Sequence, residues 1–262
     1  MLSDNQSVVR KNFLGTPLDV LTMSQTLEMA TQAMCSGKKI THVALNVAKL
    51  VNMRTDPVLR GDVTSADIIG IDGMGIVWGA RLHGITIEER VAGIDLMWRL
   101  LAECEARGFR PYFLGATTEV VEAAAQATLK AYPRLKMAGM RNGYFTAEES
   151  AGIVEEINAS GADCLFVGLP TPKKERFLAE HRQRLNAPFV MGVGGSYDVI
   201  GGKVARAPQW MQSASLEWLY RTLQEPRRLI WRYARTNLAF FFLLIAEFIR
   251  PASKFDTGRR SK

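Results

Sequence analysis

Between residues 39 and 195, short apolar and β-branched runs alternate with segments of helical period. The runs 40–47, 67–71, 111–114, 136–140, 164–167 and 189–193 have strand length and composition. Helix-period segments lie near 48–54, 94–106, 118–131, 147–160 and 174–185. Strands alternating with helices of this length predict an α/β fold with a mostly parallel sheet and crossover helices. In such sheets ligands bind at the carboxyl ends of the strands. Upstream, FLGTPLDVLT reads as a hairpin or a strand leading into a helix over 23–35. The pattern changes near Gly201 and Gly202, which sets an expected α/β catalytic domain at 1–200 and a helical segment at 201–262. Pro208 and Pro226 divide that segment into two or three helices. No internal repeat is visible.

Charge sharpens this division. The 262 residues carry 33 Lys/Arg and 26 Asp/Glu, a net of +7. Residues 201–262 hold 12 of the basic and 4 of the acidic residues, so the positive excess belongs to this segment alone. The same segment contains EWLYRTLQEPRRLIWRYARTNLAFFFLLIAEFIR, which runs from basic and aromatic to apolar. Such a tail suits an anionic membrane surface, or an anionic substrate held there. The apolar block 238–246 would cover roughly 13–14 Å as a helix, against a hydrocarbon core of ~30 Å. It therefore reads as a membrane-associated helix, with a buried core helix as the alternative. The basic charge lies beside Phe240–Leu244 rather than on the α/β portion, which argues against nucleic-acid binding.

The N-terminal MLSDNQSVVRKNF lacks an apolar signal region, so no secretory signal is expected. Cys35, Cys104 and Cys164 are scattered in apolar sequence and fit reduced core thiols. No CxxC or HxxxH spacing supports a metal site. His42, His83 and His181 form no triad pattern, and there is no GxSxG.

The loops after the strands carry the candidate chemistry. Asp72 follows the run 67–71 in IDGMGIVW. There it could take a proton from an attacking hydroxyl, or cap the next helix. In ERVAGIDLMW, Arg90 could clamp a phosphate or pair with Glu88 and Glu89, and Asp95 reads as a helix cap. In FLGATTEV, Gly115 ends a strand and Thr117 or Thr118 could cap a helix that receives a phosphate. GLPTPKKE sets Lys173 and Lys174 at a helix start, against the helix dipole. That arrangement suits an anionic ligand or two solvated lysines. In GVGGSYDVIGGKVARAP, Gly192, Gly194 and Gly195 permit close backbone approach. The spacing is neither GxGxxG nor a P-loop. In the tail, Arg221, Arg228, Arg232 and Arg235 are spaced by 7, 4 and 3. A new helix at Pro226 keeps the last three in line. With Arg221 they could grip a diphosphate or rest on anionic headgroups.

Taken together these segments resemble the TagA/WecG/CpsF family of bacterial glycosyltransferases (glycosyltransferase family 26). The likeness runs from FLGTPLD at Phe13 through Leu45-Asn46, IDGMG, ERVAGID, FLGA, GLPTPKKE and GVGGSYDVIGGKVARAP to EWLYRTLQEPRRLIWRY at Glu217. It implies a Rossmann-like α/β domain with a membrane-associating C-terminal appendage. It also implies an inverting, metal-independent transfer from a UDP-sugar donor to a saccharide on a polyprenyl diphosphate. The implied place is peripheral, on the cytoplasmic face of the bacterial inner membrane, in exopolysaccharide or cell-envelope synthesis. No cofactor is implied. The resemblance makes Asp72 the base, Asn46 and Arg90 pocket residues, and Gly192–Gly195 the nucleotide loop. Arg221, Arg228 and Arg232 become the diphosphate-binding arginines.

Two departures stand out. Ala44 replaces a threonine that many members carry two residues before the asparagine. Lys174 replaces a glutamine, making the site more cationic and pointing Lys174 toward the donor diphosphate or an acidic donor sugar. The absence of DxD agrees with a metal-free mechanism. Two other classes remain open: a non-catalytic nucleotide-binding membrane adaptor, and another Rossmann-type nucleotide enzyme. The donor and acceptor sugars are not readable, and a homo-oligomer through apolar surface remains open.

Overall fold

The computed structural model describes residues 8–214 and 216–249. Val9–Phe13 (β1) and Thr16–Val20 (β2) form an antiparallel hairpin. Its two linking residues, Leu14 and Gly15, both have left-handed φ, at 50° and 68°. That geometry matches the twist of paired strands, and the leucine is held there by burial. The hairpin leads into Met23–Ser36 (α1), which Thr22 and Gln25 start with a reciprocal capping box.

The second sheet has six strands: Ile40–Leu45 (β3), Ile68–Ile71 (β4), Pro111–Gly115 (β5), Gly139–Arg141 (β6), Cys164–Gly168 (β7) and Phe189–Gly192 (β8). Their order is β4-β3-β8-β7-β5-β6, and every pairing is parallel. The central strands are apolar on both faces because helices cover both. Val47–Thr55 (α2), Pro57–Thr64 (α3), Met74–Leu82 (α4), Ser150–Ala159 (α7) and Lys173–His181 (α8) pack on one face. The other face takes α1 with Gly93–Arg107 (α5), Thr118–Ala131 (α6) and Ser196–Ile200 (α9). This is a Rossmann-like α/β arrangement.

The free side of β4 is covered by the hairpin. The buried Asp19 carboxylate accepts from the Ile69 amide at 2.7 Å and from Arg10 through two bonds of 2.8 Å. Arg10 also donates to the Asp67 carbonyl. An edge whose amides are satisfied in this way offers no template to another strand.

Gln209–Ser213 (α10), Glu217–Gln224 (α11) and Pro226–Ile249 (α12) complete the described chain. α12 lies along α2 and inserts Phe240 into the core beside Phe13. Phe240 is 7% exposed, whereas Phe241 and Phe242 are 56% and 60% exposed. The apolar block thus docks by one face and leaves the other open. Within α12, the 19 residues Leu229–Glu247 are long and apolar enough to cross a membrane by length and composition, so the nine-residue estimate understates the helix.

Several expected boundaries move. The run 40–47 ends at Leu45, because Asn46 caps α2 by accepting from the Lys49 amide at 3.0 Å. The strand expected at 136–140 is only Gly139–Arg141, and it lies at the sheet edge, paired on one side. α3 has no counterpart in the sequence reading, and α4 enters it only as the helix, without bounds, that Asp72 could cap. α4 carries Gly75 and Gly79 and lacks a side-chain cap, so packing rather than propensity holds it. Cys104 and Cys164 are buried, but Cys35 is exposed and is not a core thiol.

Gly79 is where α4 meets α12. A Cβ there would come within 2.9 Å of both Phe13 and Phe240, and within 3.2 Å of Leu244. Gly79→Val should therefore cost about 1–3 kcal/mol by overpacking and loosen the seat of α12. Limited proteolysis should cut the variant faster after residue 224, with a lower Tm. Equal cutting rates in both proteins would remove Gly79 from this role.

Candidate active site

Parallel strands end on one side of the sheet, and the sequence candidates gather there. Asn46 follows β3, Asp72 follows β4, Gly168 ends β7, and Gly192, Gly194 and Gly195 lie at the end of β8. Backbones approach closely at this edge. A Cβ on Gly115, whose φ is 138°, would lie 2.5 Å from Gly168 carbonyl atoms. Gly115 and Thr117 therefore serve local structure: Thr117 caps α6 by accepting from the Val120 amide.

Asp72 does not cap the helix that follows it. Gly73 holds the cap position of α4 with no side-chain cap, and Asp72 Oδ1 accepts instead from the Gly93 amide at the start of α5, at 3.2 Å. Burial raises the Asp72 carboxyl above its usual range, against the pull of Arg90 and the Gly93 amide. A carboxylate so placed binds a proton more readily than one in water. It can accept one from a hydroxyl entering the crevice.

Lys174 is neither solvated nor lone. It is 6% exposed, and its chain lies against Gly192, where a Cβ would sit 2.8 Å from its Cδ and Cε. Its ammonium pairs with Glu175 Oε1 at 3.1 Å. The same oxygen takes Lys49 at 2.8 Å, and Lys49 also donates to the Ala44 carbonyl at 2.6 Å. All three side chains are buried. Burial would raise the Glu175 carboxyl, but Lys49 and Lys174 together hold it down to about 2. Burial first, then Lys174, lowers Lys49 to about 8. Two lysines share one glutamate, so the cluster has one basic group in excess beside the glycine loop. Lys173 turns away, its ammonium over the Phe145 ring and bonded to the Phe145 carbonyl.

Arg90 pairs with neither Glu88 nor Glu89. Its Nη2 donates to Glu217 on α11 at 2.6 Å. Arg206 joins the same group: it holds Asp95 at 2.6 Å and lies 3.9 Å from Glu217. Asp95 is thus an ion-pair partner rather than a cap; Ala92 occupies the cap position of α5. Arg221, also on α11, reaches the glycine loop. Its Nη2 would lie 3.0 Å from a Cβ on Gly195. The three tail arginines do not share one helix face. Arg221 is on α11, and Arg232 is exposed on α12 with its guanidinium over the Tyr233 ring. The side chain of Arg228 lies outside the described residues.

The sequence reading missed Lys49, Glu175, Arg206 and Glu217. One signal was present: Lys49 sits with Leu50 and Met53 on the buried stripe of α2, where a solvated lysine does not belong. The pairings themselves span 126 and 127 positions in the chain (Lys49 with Glu175, Arg90 with Glu217), and no local pattern marks them. His42 is buried, His83 bonds the Gly79 carbonyl, and His181 meets Ser150, so none enters the site. Among the described residues no three His, Cys, Asp or Glu side chains converge as a metal site would require.

The family model described as "Glycosyl transferase WecG/TagA/CpsF family" matches residues 11–254. The match takes in both the strand-end loops and the three terminal helices.

Glu175→Gln would leave two buried ammonium groups facing a neutral amide. We expect a loss of about 3–5 kcal/mol at pH 7 by chemical denaturation. The depressed Glu175 carboxyl adds stability that is complete above its ordinary value of 4.5 and declines as pH falls toward 2. The variant should lack that part of the acid dependence. A loss under about 0.5 kcal/mol, the scale of an ordinary surface substitution, would rule out the shared-carboxylate role.

Proposed function

This chain belongs to the WecG/TagA/CpsF glycosyltransferase family, which acts in cell-surface polymer synthesis, and from that premise we propose a specific reaction. It transfers a sugar from a UDP-sugar to a saccharide carried on a polyprenyl diphosphate. Residues 1–200 act as the catalytic domain and residues 201–262 as its appendage. The observation that carries this reading is Asp72: a half-buried carboxylate with a raised pKa just past the end of β4, accepting from the Gly93 amide at the start of α5.

In this reaction the acceptor hydroxyl attacks the anomeric carbon on the face opposite UDP. Asp72 takes the hydroxyl proton, the new C–O bond forms, and UDP leaves with the electron pair of the broken bond. One displacement inverts the anomeric centre. The leaving diphosphate needs fixed positive charge. Lys174 and Arg221 stand beside the glycine loop and supply it. Asn46 and the Gly192–Gly195 backbone shape the donor pocket. Asn46 is already committed to capping α2, so its contribution is to hold the β3 loop.

The appendage gives the enzyme its place. The outward face of α12 exposes Trp231, Leu238, Phe242, Ile245 and Ile249, and Arg227, Arg232 and Arg235 are exposed on the same helix. Apolar and cationic groups together bind an anionic bilayer surface, at about 1 kcal/mol for each basic residue near it. This supports a peripheral position on the cytoplasmic face of the bacterial inner membrane.

Asp72→Asn should keep donor binding while turnover falls by about 10²–10⁴-fold, read as UDP release with a short-chain lipid diphosphate saccharide. In the wild type the base must be ionised. Because burial raises this carboxyl, kcat/KM should rise with pH along a limb above the ordinary carboxylate range. Turnover of the variant within a few-fold of wild type would remove Asp72 as base.

A chain ending at Gly202 should lose both vesicle binding and transfer. Full transfer by the truncated chain would reduce the appendage to an anchor.

A further inference from the structure

Glu217 reaches from α11 back to the core and sets its carboxylate between two guanidinium groups. Oε2 accepts from Arg90 at 2.6 Å, and Oε1 lies 3.9 Å from Arg206 Nε. Arg206 spends its Nη2 on Asp95, leaving Nε shielded from solvent with no hydrogen-bond partner. Arg90, Asp95 and Arg206 line one cavity of about 550 Å³ together with Trp98 and Arg99. The cavity wall includes neither Lys174 nor the glycine loop. The molecule therefore has two separate cationic groups near the strand ends: Lys174 with Arg221 beside the glycine loop, and Arg90 with Arg206 about Glu217.

We propose that Arg90 and Arg206 form the site for the acceptor's prenyl-linked diphosphate, and that Glu217 is a resident carboxylate which that diphosphate displaces. This inference rests on the glycosyltransfer reading above. A carboxylate between two guanidinium groups occupies the position of a phosphate, because both offer planar or trigonal oxygen pairs to the same N–H forks. A diphosphate brings two such groups. It can satisfy Arg90 and the unpartnered Arg206 Nε at once, which the single carboxylate does not. With Glu217 displaced, Arg90, Arg99 and Arg206 still outnumber Glu89 and Asp95 on the wall, so the excess of basic groups favours an anion there.

The test is binding, with no turnover required. Farnesyl diphosphate and UDP are titrated separately by calorimetry into the full chain, Arg206→Gln, Arg206→Lys, Glu217→Gln and the exposed control Arg134→Gln. Farnesyl diphosphate should bind about tenfold more weakly to Arg206→Gln and by a smaller factor to Arg206→Lys, which keeps charge and loses the fork. It should bind several-fold more tightly to Glu217→Gln, a gain that misfolding does not produce. UDP should bind all five proteins alike. If UDP affinity follows Arg206 and farnesyl diphosphate affinity does not, the site belongs to the donor and the proposal is overturned. Unchanged farnesyl diphosphate affinity in Arg206→Gln, or no gain in Glu217→Gln, overturns it as well. A chain that binds farnesyl diphosphate through Arg206 but transfers no sugar keeps this site and loses the transfer reading. A chain that transfers sugar with Arg206-independent binding does the reverse.

Discussion

Glu175 is buried, and a single one of its oxygens takes two buried ammonium groups, Lys49 and Lys174. Burying charge is costly unless partners compensate it, so these three side chains constrain one another strongly. Lys49 belongs to α2 and also holds the last turn of β3 through the Ala44 carbonyl. Lys174 and Glu175 belong to α8 and lie against the end of β8. The cluster therefore ties together the loops of two adjacent strands, which form the floor of the crevice. It also leaves a positive charge uncompensated there. That excess is tolerable in a site visited by an anion, and the same field acts on Asp72 and helps keep the buried His42 neutral.

Sheet order explains why these groups can meet. β3 and β8 are neighbours, but α2 follows β3 and α9 follows β8 on opposite faces. Helices that leave in opposite directions open a crevice between the strand ends. Asp72 overlooks it from β4 and is held by α5 from the other face. The tail then closes one side. α11 lays Glu217 on Arg90 and Arg221 on Gly195, so residues more than a hundred positions apart share one electrostatic neighbourhood.

The strands and most helices were legible because each buries a continuous apolar run or stripe, and burial writes itself into local sequence. The catalytic candidate Asp72 was legible as a carboxylate just past a strand end. Helices α3 and α4 were not, since α4 depends on glycine-mediated packing against Phe13 and Phe240 rather than on its own propensity. The charge pairings were not legible either. Arg90 has two acidic sequence neighbours, and proximity along the chain favours them. The fold instead brings Glu217 closer, and only tertiary structure carries that information. Lys174 read as a cation for an anionic ligand or for solvent, and its ion pair was hidden because its partner, the next residue in sequence, becomes a shared buried carboxylate only when α2 delivers Lys49.

Helix α12 resolves the run of three phenylalanines. Successive helical residues point about 100° apart, so Phe240, Phe241 and Phe242 cannot all enter one core. Leu229, Thr236, Phe240, Leu243 and Leu244 form one stripe, which is buried or packed on the core. Trp231, Leu238, Phe242, Ile245 and Ile249 form a stripe on the opposite side, and all are exposed. Their spacings of 7, 4, 3 and 4 residues keep them aligned along the helix. A helix that needed only to dock on the core would carry polar residues on that outer stripe. A second apolar stripe therefore calls for a second apolar surface, and the flanking Arg232 and Arg235 match one that is anionic at its edge. α12 and the α11 that precedes it thus join that outer stripe to the core: α12 docks through Phe240, and α11 sets Glu217 on Arg90 and Arg221 beside Gly195.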